Sequence, residues 1–122
     1  MKLKLKATIV MPQTTPDIKV NAVKTLGATV ILHGDSYDDA YNKAIQLSTQ
    51  SQATFIHPYD DIDVIAGQGT IAKEILDDLD NIDFIVIPVG GGGLLAGLAS
   101  YIKHKKPQIS IIAVEPENSN CF

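Results

Sequence analysis

Four consecutive glycines are the residues of this 122-residue chain whose type and spacing best suit binding chemistry: Gly90, Gly91, Gly92 and Gly93. Because glycine has no Cβ, its backbone can adopt positive φ and come close to a ligand. Consecutive N–H groups in such a turn can converge on one phosphate. A helical pattern starts at Leu94, and the N-terminus of that helix would add further N–H groups. The segment therefore predicts an anion-binding loop, whereas a simple flexible turn would need only one or two glycines.

The charged residues favour recognition of an anion by the backbone. The chain has ten basic residues, all of them lysine, and a formal net charge of −4. Such a chain lacks the basic face that nucleic-acid phosphates require, so we expect no nucleic-acid partner. Without arginine there is no planar guanidinium to bind a phosphate through two parallel hydrogen bonds. The predicted phosphate site therefore depends on backbone N–H groups.

The same glycines also fit a dinucleotide-binding pattern. Gly91, Gly93 and Ala96 stand at the spacing G-x-G-x-x-A. Glu115 ends the next predicted strand, where dinucleotide-binding folds place the acid that binds a ribose. A surface charge at the end of a strand is the alternative role for Glu115. The spacing by itself leaves a single phosphate and a dinucleotide both open.

Other residue types with catalytic potential lack the spacing that their chemistry requires. The aspartates of segments 60–63 and 77–83 do not follow the pattern of a calcium-binding loop. His33, His57 and His104 are not spaced as ligands on one helix, so we expect no metal site. No serine stands in the strand-turn-helix context of a hydrolase nucleophile.

The overall composition is typical of a globular protein, with 45% hydrophobic and 20% charged residues. No apolar run approaches the ~20 residues that a membrane-spanning helix needs, and no secretory signal is visible. The single cysteine, Cys121, cannot form an internal disulfide. These features predict a cytoplasmic protein without a membrane partner.

Strand and helix patterns alternate along the chain. Short β-branched apolar runs, typical of buried parallel strands, are followed by amphipathic helical segments. The predicted strands are residues 6–11, 29–32, 54–57, 83–89 and 109–115. The predicted helices are residues 16–26, 37–48, 64–79 and 94–106. This order predicts an α/β fold with parallel sheets and helices on both faces, in a Rossmann-like three-layer arrangement.

Local signals predict where the first two helices begin and end. Thr15 has the side chain of an N-cap, and Pro16 suits the first helical position because its φ is fixed. Gly27 suits the left-handed residue that ends this helix. Ser36 and Asp39 have the spacing of a capping box at the start of the second helix.

Two glycines interrupt the third predicted helix. Gly67 and Gly69 each cost about 1 kcal/mol relative to alanine in a helix interior. They flank Gln68. Close packing against a neighbouring segment would compensate for this cost. We therefore predict that both glycines pack against another backbone.

A polar break at residues 59–63 divides the pattern into two lobes. We predict a small α/β lobe at residues 1–57 and part of a second lobe, which contains the predicted anion-binding loop, at residues 58–122. The second lobe has only two predicted strands and two helices, too few to cover both faces of a parallel sheet. This composition predicts an internal fragment of a larger enzyme.

Six segments of the chain resemble threonine dehydratases of the biosynthetic type, in the same order along the sequence. They are ATIVMP at 7–12, PDIK at 16–19, LHG at 32–34, IAGQGT at 65–70, PVGGGGL at 88–94 and VEPE at 114–117. The resemblance extends over essentially all 122 residues. The tetraglycine with its flanks, together with the AGQGT run, is highly specific for this pyridoxal-phosphate family.

The resemblance implies a fold, a cofactor and a reaction. It implies a type II pyridoxal-phosphate fold in which Gly90 to Gly93, with Leu94, bind the phosphate of pyridoxal 5′-phosphate. The implied reaction deaminates threonine to 2-oxobutanoate and ammonia on the way to isoleucine, in a homo-oligomer. Serine dehydratases and serine racemases share much of the pattern, so serine is the alternative substrate. A non-catalytic dinucleotide-binding or interaction module is the alternative of another class.

The resemblance assigns no catalytic residue to this chain. In the family, the lysine that forms a Schiff base with the cofactor lies upstream in a Phe-Lys motif, and no lysine here matches it. We therefore expect the isolated chain to be inactive. A metal in relatives would use the position of Glu115, but the acidic partner expected soon after is replaced by Asn118 and its neighbours. Tyr59 aligns near the junction of the lobes, where it would face the cofactor, but we assign no role to it.

Overall fold

The computed structural model describes residues 5–118 and divides the chain into two compact units, Met1–Phe55 and Ile56–Phe122. Each unit is built around a pair of parallel strands, so the predicted parallel α/β fold is confirmed. The expected third layer, with helices on both faces of each sheet, stays a prediction. Cys121 lies outside the described residues. No described helix combines the length and apolar character that crossing a bilayer requires.

The first unit is a strand-helix-strand unit followed by a second helix. Its elements are β1 at Thr8–Met11, α1 at Asp17–Thr25, β2 at Thr29–Leu32 and α2 at Tyr37–Ser51. The strands pair in parallel, with a register that runs from Thr8 opposite Thr29 to Met11 opposite Leu32. Helix α1 is therefore the crossover that a parallel pair requires.

The strand predicted at residues 54–57 is wrong, because this segment has no regular secondary structure. Its apolar residues have other surroundings. The ring of Phe55 packs edge-on against Tyr41, with 5.5 Å between ring centroids. Ile56 is 66% exposed. No described strand lies beside the segment to supply the hydrogen bonds that a strand needs.

The start of α1 also differs from its prediction. Pro16, not Thr15, is the N-cap, and no side chain caps the helix. The reason is the conformation of Pro16, whose φ of −56° and ψ of 136° are extended, so the helical residues begin at Asp17. The Pro16 carbonyl accepts the first helical bonds, from Lys19 N–H at 2.9 Å and Val20 N–H at 3.3 Å.

The C-terminus of α1 is as predicted. Gly27 has a φ of 86°, in the left-handed region that favours glycine. Its N–H donates to the carbonyl of Lys24 at 2.9 Å, and Ala28 N–H donates to Val23 at 3.4 Å. This pair of bonds is a Schellman motif, which satisfies the last carbonyls of the helix.

The capping box at the start of α2 is confirmed. Ser36 Oγ accepts the N–H of Asp39 at 3.2 Å, and Asp39 Oδ2 accepts the N–H of Ser36 at 3.1 Å. The same carboxylate oxygen accepts the N–H of Asp35 at 3.1 Å and the hydroxyl of Ser36 at 2.7 Å. The Asp39 carboxylate therefore orders the turn that leads into α2.

This capping box predicts an acid-sensitive contribution to stability. The hydrogen bond from the Ser36 hydroxyl, followed by those from the Ser36 and Asp35 N–H groups, lowers the pKa of Asp39 below its ordinary value. A lowered folded-state pKa stabilises the fold above the unfolded value of about 3.9, and this stabilisation is lost as the pH falls through the folded-state pKa. We expect Asp39→Asn to lower the urea midpoint at pH 7, and the difference from wild type to shrink as the pH falls below the unfolded-state pKa.

Asp38→Asn is the matched control, since it removes a carboxylate from the same first turn without breaking the capping box. It should reduce stability less than Asp39→Asn at pH 7, because only the favourable interaction with the helix dipole is lost. Equal effects of the two variants at pH 7 would contradict the assignment.

The second unit contains the glycine loop. Its elements are α3 at Ile62–Asp78, β3 at Phe84–Pro88, α4 at Gly93–Lys105 and β4 at Ser110–Val114. Strands β3 and β4 pair in parallel from Phe84 opposite Ser110 to Pro88 opposite Val114, with α4 as the crossover. The predicted strands and helices of this unit are present, with ends that shift by one or two residues. Its buried core consists of Ala72, Ile87, Leu98, Ile102 and Ile109.

Helices α3 and α4 touch through glycines. A Cβ added to Gly97 would lie 2.4 Å from the Ile65 carbonyl oxygen and 2.7 Å from the Gly69 nitrogen. A Cβ on Gly69 would lie 3.2 Å from the Gly97 oxygen. The prediction of a close backbone neighbour is therefore confirmed for Gly69 and wrong for Gly67, where a Cβ would have no described atom within 4 Å.

Candidate functional site

The glycine loop begins where β3 leaves its sheet. Val89 N–H makes the last bond to the neighbouring strand, at 2.9 Å to the carbonyl of Val114. Gly92 is the N-cap of α4 and has a φ of 84°. The first N–H with an intrahelical acceptor is that of Ala96, which donates to the Gly92 carbonyl at 2.8 Å. Among the described residues, no acceptor is found for the N–H groups of residues 90–95.

Three of the four glycines are required by their protein surroundings. Gly92 needs its left-handed backbone. A Cβ on Gly91 would lie 2.3 Å from two carbons of the Tyr59 ring, and one on Gly93 would lie 2.7 Å from the Tyr59 carbonyl oxygen. Gly90 differs, because it is exposed and an added Cβ would meet no described atom within 4 Å. Neither described neighbours nor a positive φ account for glycine at this position.

The loop forms one wall of a shallow, open concavity of about 330 Å³. Its lining residues are Tyr59, Asp60, Ile65, Gly91, Gly92, Gly93 and Ala96. No lysine is among them, so the only donors that the loop offers to an anion are backbone N–H groups. The N-terminus of the 13-residue helix α4 lies at this wall and contributes the positive end of its dipole.

The predicted site residues differ in whether they line the concavity. Gly91, Gly92 and Gly93 line the concavity, and the exposed Gly90 precedes them, two residues after the end of β3. The side chain of Leu94 instead packs against the core cluster, so only its N–H belongs to the loop. Tyr59 also lines the concavity, although no role was assigned to it from its place in the sequence. Its position depends on a contact between segments about 30 residues apart, which no local pattern encodes.

Glu115 follows the last residue of β4, at the same end of the sheet as the loop. The residue is half-buried and has an interaction partner. Within residues 5–118, no group of three or more histidine, cysteine, aspartate or glutamate residues could hold a metal ion.

Comparison with known protein families identifies the fold. The model of the pyridoxal-phosphate dependent enzymes matches residues 1–122, the whole chain. The chain belongs to this family. Its membership argues against the alternative in which the glycines bind a dinucleotide.

Similar proteins are named threonine dehydratases. The chain is 52% identical over 121 residues to the biosynthetic L-threonine dehydratase IlvA of Haemophilus influenzae, with 99% of the chain and 24% of that protein covered. It is 55% identical over 122 residues to the chloroplastic biosynthetic threonine dehydratase 1 of Solanum lycopersicum, with 20% of that protein covered. The chain thus spans a quarter or less of these two relatives.

Solved structures of the family superpose closely on the chain. The processed form of threonine deaminase isoform 2 from Solanum lycopersicum aligns with a TM-score of 0.85 and 49% identity, over 94% of this chain and 32% of that one. A pyridoxal 5′-phosphate-dependent aspartate racemase aligns with a TM-score of 0.91 and 34% identity, over 95% of this chain and 35% of that one. The same fold therefore occurs in family members whose names give different reactions.

Proposed function

We propose that the glycine loop holds the phosphate of pyridoxal 5′-phosphate, through the N–H groups of Gly90, Gly91, Gly92, Gly93 and Leu94. The observation that carries this proposal is the unfilled space at Gly90, beside N–H groups that have no described acceptor. A glycine with no close protein neighbour is suited to the close approach of a ligand. Each sheltered hydrogen bond to a charged acceptor contributes roughly 1.5–3 kcal/mol.

The residues present fit a phosphate that is bound without basic side chains. The loop supplies neutral N–H donors, and the dipole of α4 favours negative charge at the same place. When bound, pyridoxal phosphate supplies an electron sink for negative charge on the substrate's α-carbon. The part of this chain is to bind and orient the phosphate. The reacting lysine belongs to another segment in the family, consistent with the absence of lysine from the described lining.

The proposed reaction is the deamination of threonine to 2-oxobutanoate and ammonia, as a step in isoleucine biosynthesis. Support comes from relatives named threonine dehydratase at 52% to 55% identity. Serine stays the alternative substrate, because a serine racemase at 38% identity and a fungal L-serine ammonia-lyase at 31% share the fold. The two threonine dehydratases are thus more similar in sequence to this chain than the serine racemase and the serine ammonia-lyase are.

The proposed organisation follows the two sequence lobes. Residues 1–57 form the small substrate-side lobe, and residues 58–122 form part of the cofactor lobe, which contains the glycine loop. We also propose a homo-oligomer in the cytoplasm. The oligomer is proposed from the family resemblance alone, because the apolar residues exposed on β3 and β4, such as Phe84, Val86 and Ile112, form a face that the rest of a longer protein would cover.

The test uses the full-length protein purified with its cofactor. We expect 2-oxobutanoate from threonine, with a higher kcat/KM than for pyruvate formation from serine. A polypeptide of only these 122 residues should give no product above free cofactor, because covalent catalysis needs the lysine. Product from the short polypeptide would contradict the proposed division of roles. A higher kcat/KM for serine than for threonine would show that serine is the preferred substrate.

A further inference from the structure

The residues just before α3 form a turn that is organised by one imidazole. His57 Nδ1 accepts the N–H of Asp60 at 2.8 Å and, more weakly, the N–H of Tyr59 at 3.4 Å. We call residues 57–60 the histidine turn. The pattern is that of a side-chain cap, in which one acceptor binds the N–H groups two and three residues ahead.

The next cap along the chain has the same geometry. Asp61 Oδ1 accepts the N–H of Asp63 at 2.8 Å and that of Val64 at 3.2 Å, at the start of α3. An imidazole Nδ1 stands at nearly the same distance from its backbone as an asparagine or aspartate side-chain oxygen. His57 thus serves as the acceptor that aspartate or asparagine usually provides.

The histidine turn also holds the ring of Tyr59. The His57 and Tyr59 rings meet edge-to-face, with 4.7 Å between centroids and 88° between planes, a favourable aromatic geometry. The ring of Tyr59 lies against Gly91, and its backbone lies against Gly93. Tyr59 is therefore in contact with His57 on one side and with the glycine loop on the other.

We propose that His57 is a positioning residue for the glycine loop. By accepting two backbone N–H groups, it fixes Tyr59 against Gly91 and Gly93 and so holds the loop in the form that binds phosphate. His57 does not line the concavity, and it acts on the loop through Tyr59. The inference rests on the proposed function only in naming phosphate as the ligand.

Two substitutions separate the acceptor from the ring. His57→Asn keeps an acceptor close to the position of Nδ1 and removes the ring. His57→Phe keeps an aromatic ring for Tyr59 and removes the acceptor. If the acceptor orders the turn, the asparagine variant should resemble the wild type and the phenylalanine variant should not.

The experiment measures the amide hydrogen exchange of Ala96, whose N–H donates to the Gly92 carbonyl of the loop, and the affinity for pyridoxal 5′-phosphate, in the full-length protein. His57→Phe loses two hydrogen bonds to the backbone, one short and one long. The exchange rate and the dissociation constant of the cofactor should each rise about tenfold. His57→Asn should stay within about twofold of wild type on the same scale. His104→Phe is the matched control, because it makes the same replacement in the last turn of α4, and it should also stay near wild type.

Exchange of the Ala96 N–H within about twofold of wild type in His57→Phe would overturn the proposal, as would a His57→Asn variant as defective as His57→Phe. Should His57→Phe fail to fold, His57→Gln takes its place. The glutamine amide lies one methylene farther out and should also lose the turn.

A double-mutant cycle tests the route through Tyr59. Gly91→Ala places a Cβ against the Tyr59 ring and should weaken cofactor binding in the wild type. In the His57→Phe background the ring is free to move, so the same substitution should have a smaller effect. If the effects of the two substitutions on cofactor affinity are additive, His57 does not act on the loop through Tyr59. Hydrogen exchange reports loop order without ligand, so failure of phosphate binding as the function is distinguishable from failure of positioning.

Discussion

Gly92→Asp is expected to weaken the binding of pyridoxal 5′-phosphate to the full-length protein by at least about a hundredfold, or ~2.7 kcal/mol. The new carboxylate would lie at the N-cap of α4, beside the N–H groups that we propose for the phosphate. Two like charges about 4 Å apart repel by roughly 1–4 kcal/mol, depending on exposure to water. The φ of 84° at this position adds backbone strain for a residue with a Cβ.

The measurement is a titration of the apoenzyme with pyridoxal 5′-phosphate, followed by cofactor absorbance and by the 31P signal of the bound phosphate. Gly92→Asn is the matched control, because asparagine has the same shape as aspartate, tolerates a left-handed backbone and carries no charge. It should retain most of the affinity. Similar losses in the two variants would show that strain, and not repulsion of the phosphate, causes the effect.

Gly90→Ala extends this test to the residue that carries the proposed function. An added methyl group would meet no described atom, so the free energy of unfolding of the apoenzyme should not fall. Affinity for pyridoxal 5′-phosphate should fall nevertheless, because the methyl group occupies space that the ligand needs. Unchanged affinity would place the phosphate elsewhere along the loop.

Gly97→Ala should reduce the free energy of unfolding by about 3 kcal/mol, while Gly67→Ala should increase it by up to about 1 kcal/mol. Both residues lie in helix interiors, where alanine is intrinsically favoured over glycine. They differ in their neighbours. A Cβ on Gly97 would meet the backbone of α3 at 2.4 Å, whereas one on Gly67 would meet no described atom. Backbone atoms cannot move aside as a flexible side chain can, so the two helices would have to separate.

Gly69→Ala completes the series, because its added Cβ would approach the Gly97 oxygen to 3.2 Å. Its effect should lie between those of the other two variants. Urea unfolding of the three variants, followed by circular dichroism, measures the order. Equal effects of Gly67→Ala and Gly97→Ala would mean that helix propensity, and not contact between α3 and α4, determines the cost.

Separation of α3 and α4 should also change the conformation of the glycine loop. Gly97 lies one helical turn after Gly93, the first residue of α4. A shift of α4 against α3 would move the N-terminus of α4 relative to Tyr59 and Ile65, which line the same concavity. We therefore expect Gly97→Ala to weaken cofactor binding as well as stability, and Gly67→Ala to leave cofactor binding unchanged.

Features that depend on a few neighbouring residues could be predicted from the sequence. The capping box of Ser36 and Asp39 and the left-handed Gly27 arise within one turn of chain, so residue type and spacing are sufficient. The alternation of β-branched runs with helical patterns was likewise sufficient for the parallel α/β class. At Pro16 the local signals conflicted, because a proline that suits the first helical position also suits an extended N-cap.

Features that depend on distant segments could not be predicted in this way. Gly67 and Gly69 lie two residues apart on one helix and have the same chemistry, yet only Gly69 faces the backbone of Gly97. Residues 54–57 have the pattern of a strand, but a strand exists only where a neighbour supplies hydrogen bonds. Leu94 was likewise assigned to the phosphate site by its place in a motif, and the motif could not show that its side chain packs against the core.

For the site, the features that could be predicted are local in the sequence, and those that could not be predicted are contacts between distant segments. Four consecutive glycines between a strand and a helix encode an anion-binding loop, because backbone freedom and N–H groups at a helix start are local properties. The family follows from the order of six short motifs. The contact of Tyr59 with Gly91 and Gly93 came from folding alone. It joins segments some 30 residues apart, which meet only when α3 and α4 pack together, whereas the contact of His57 with Tyr59 arises within one turn of chain.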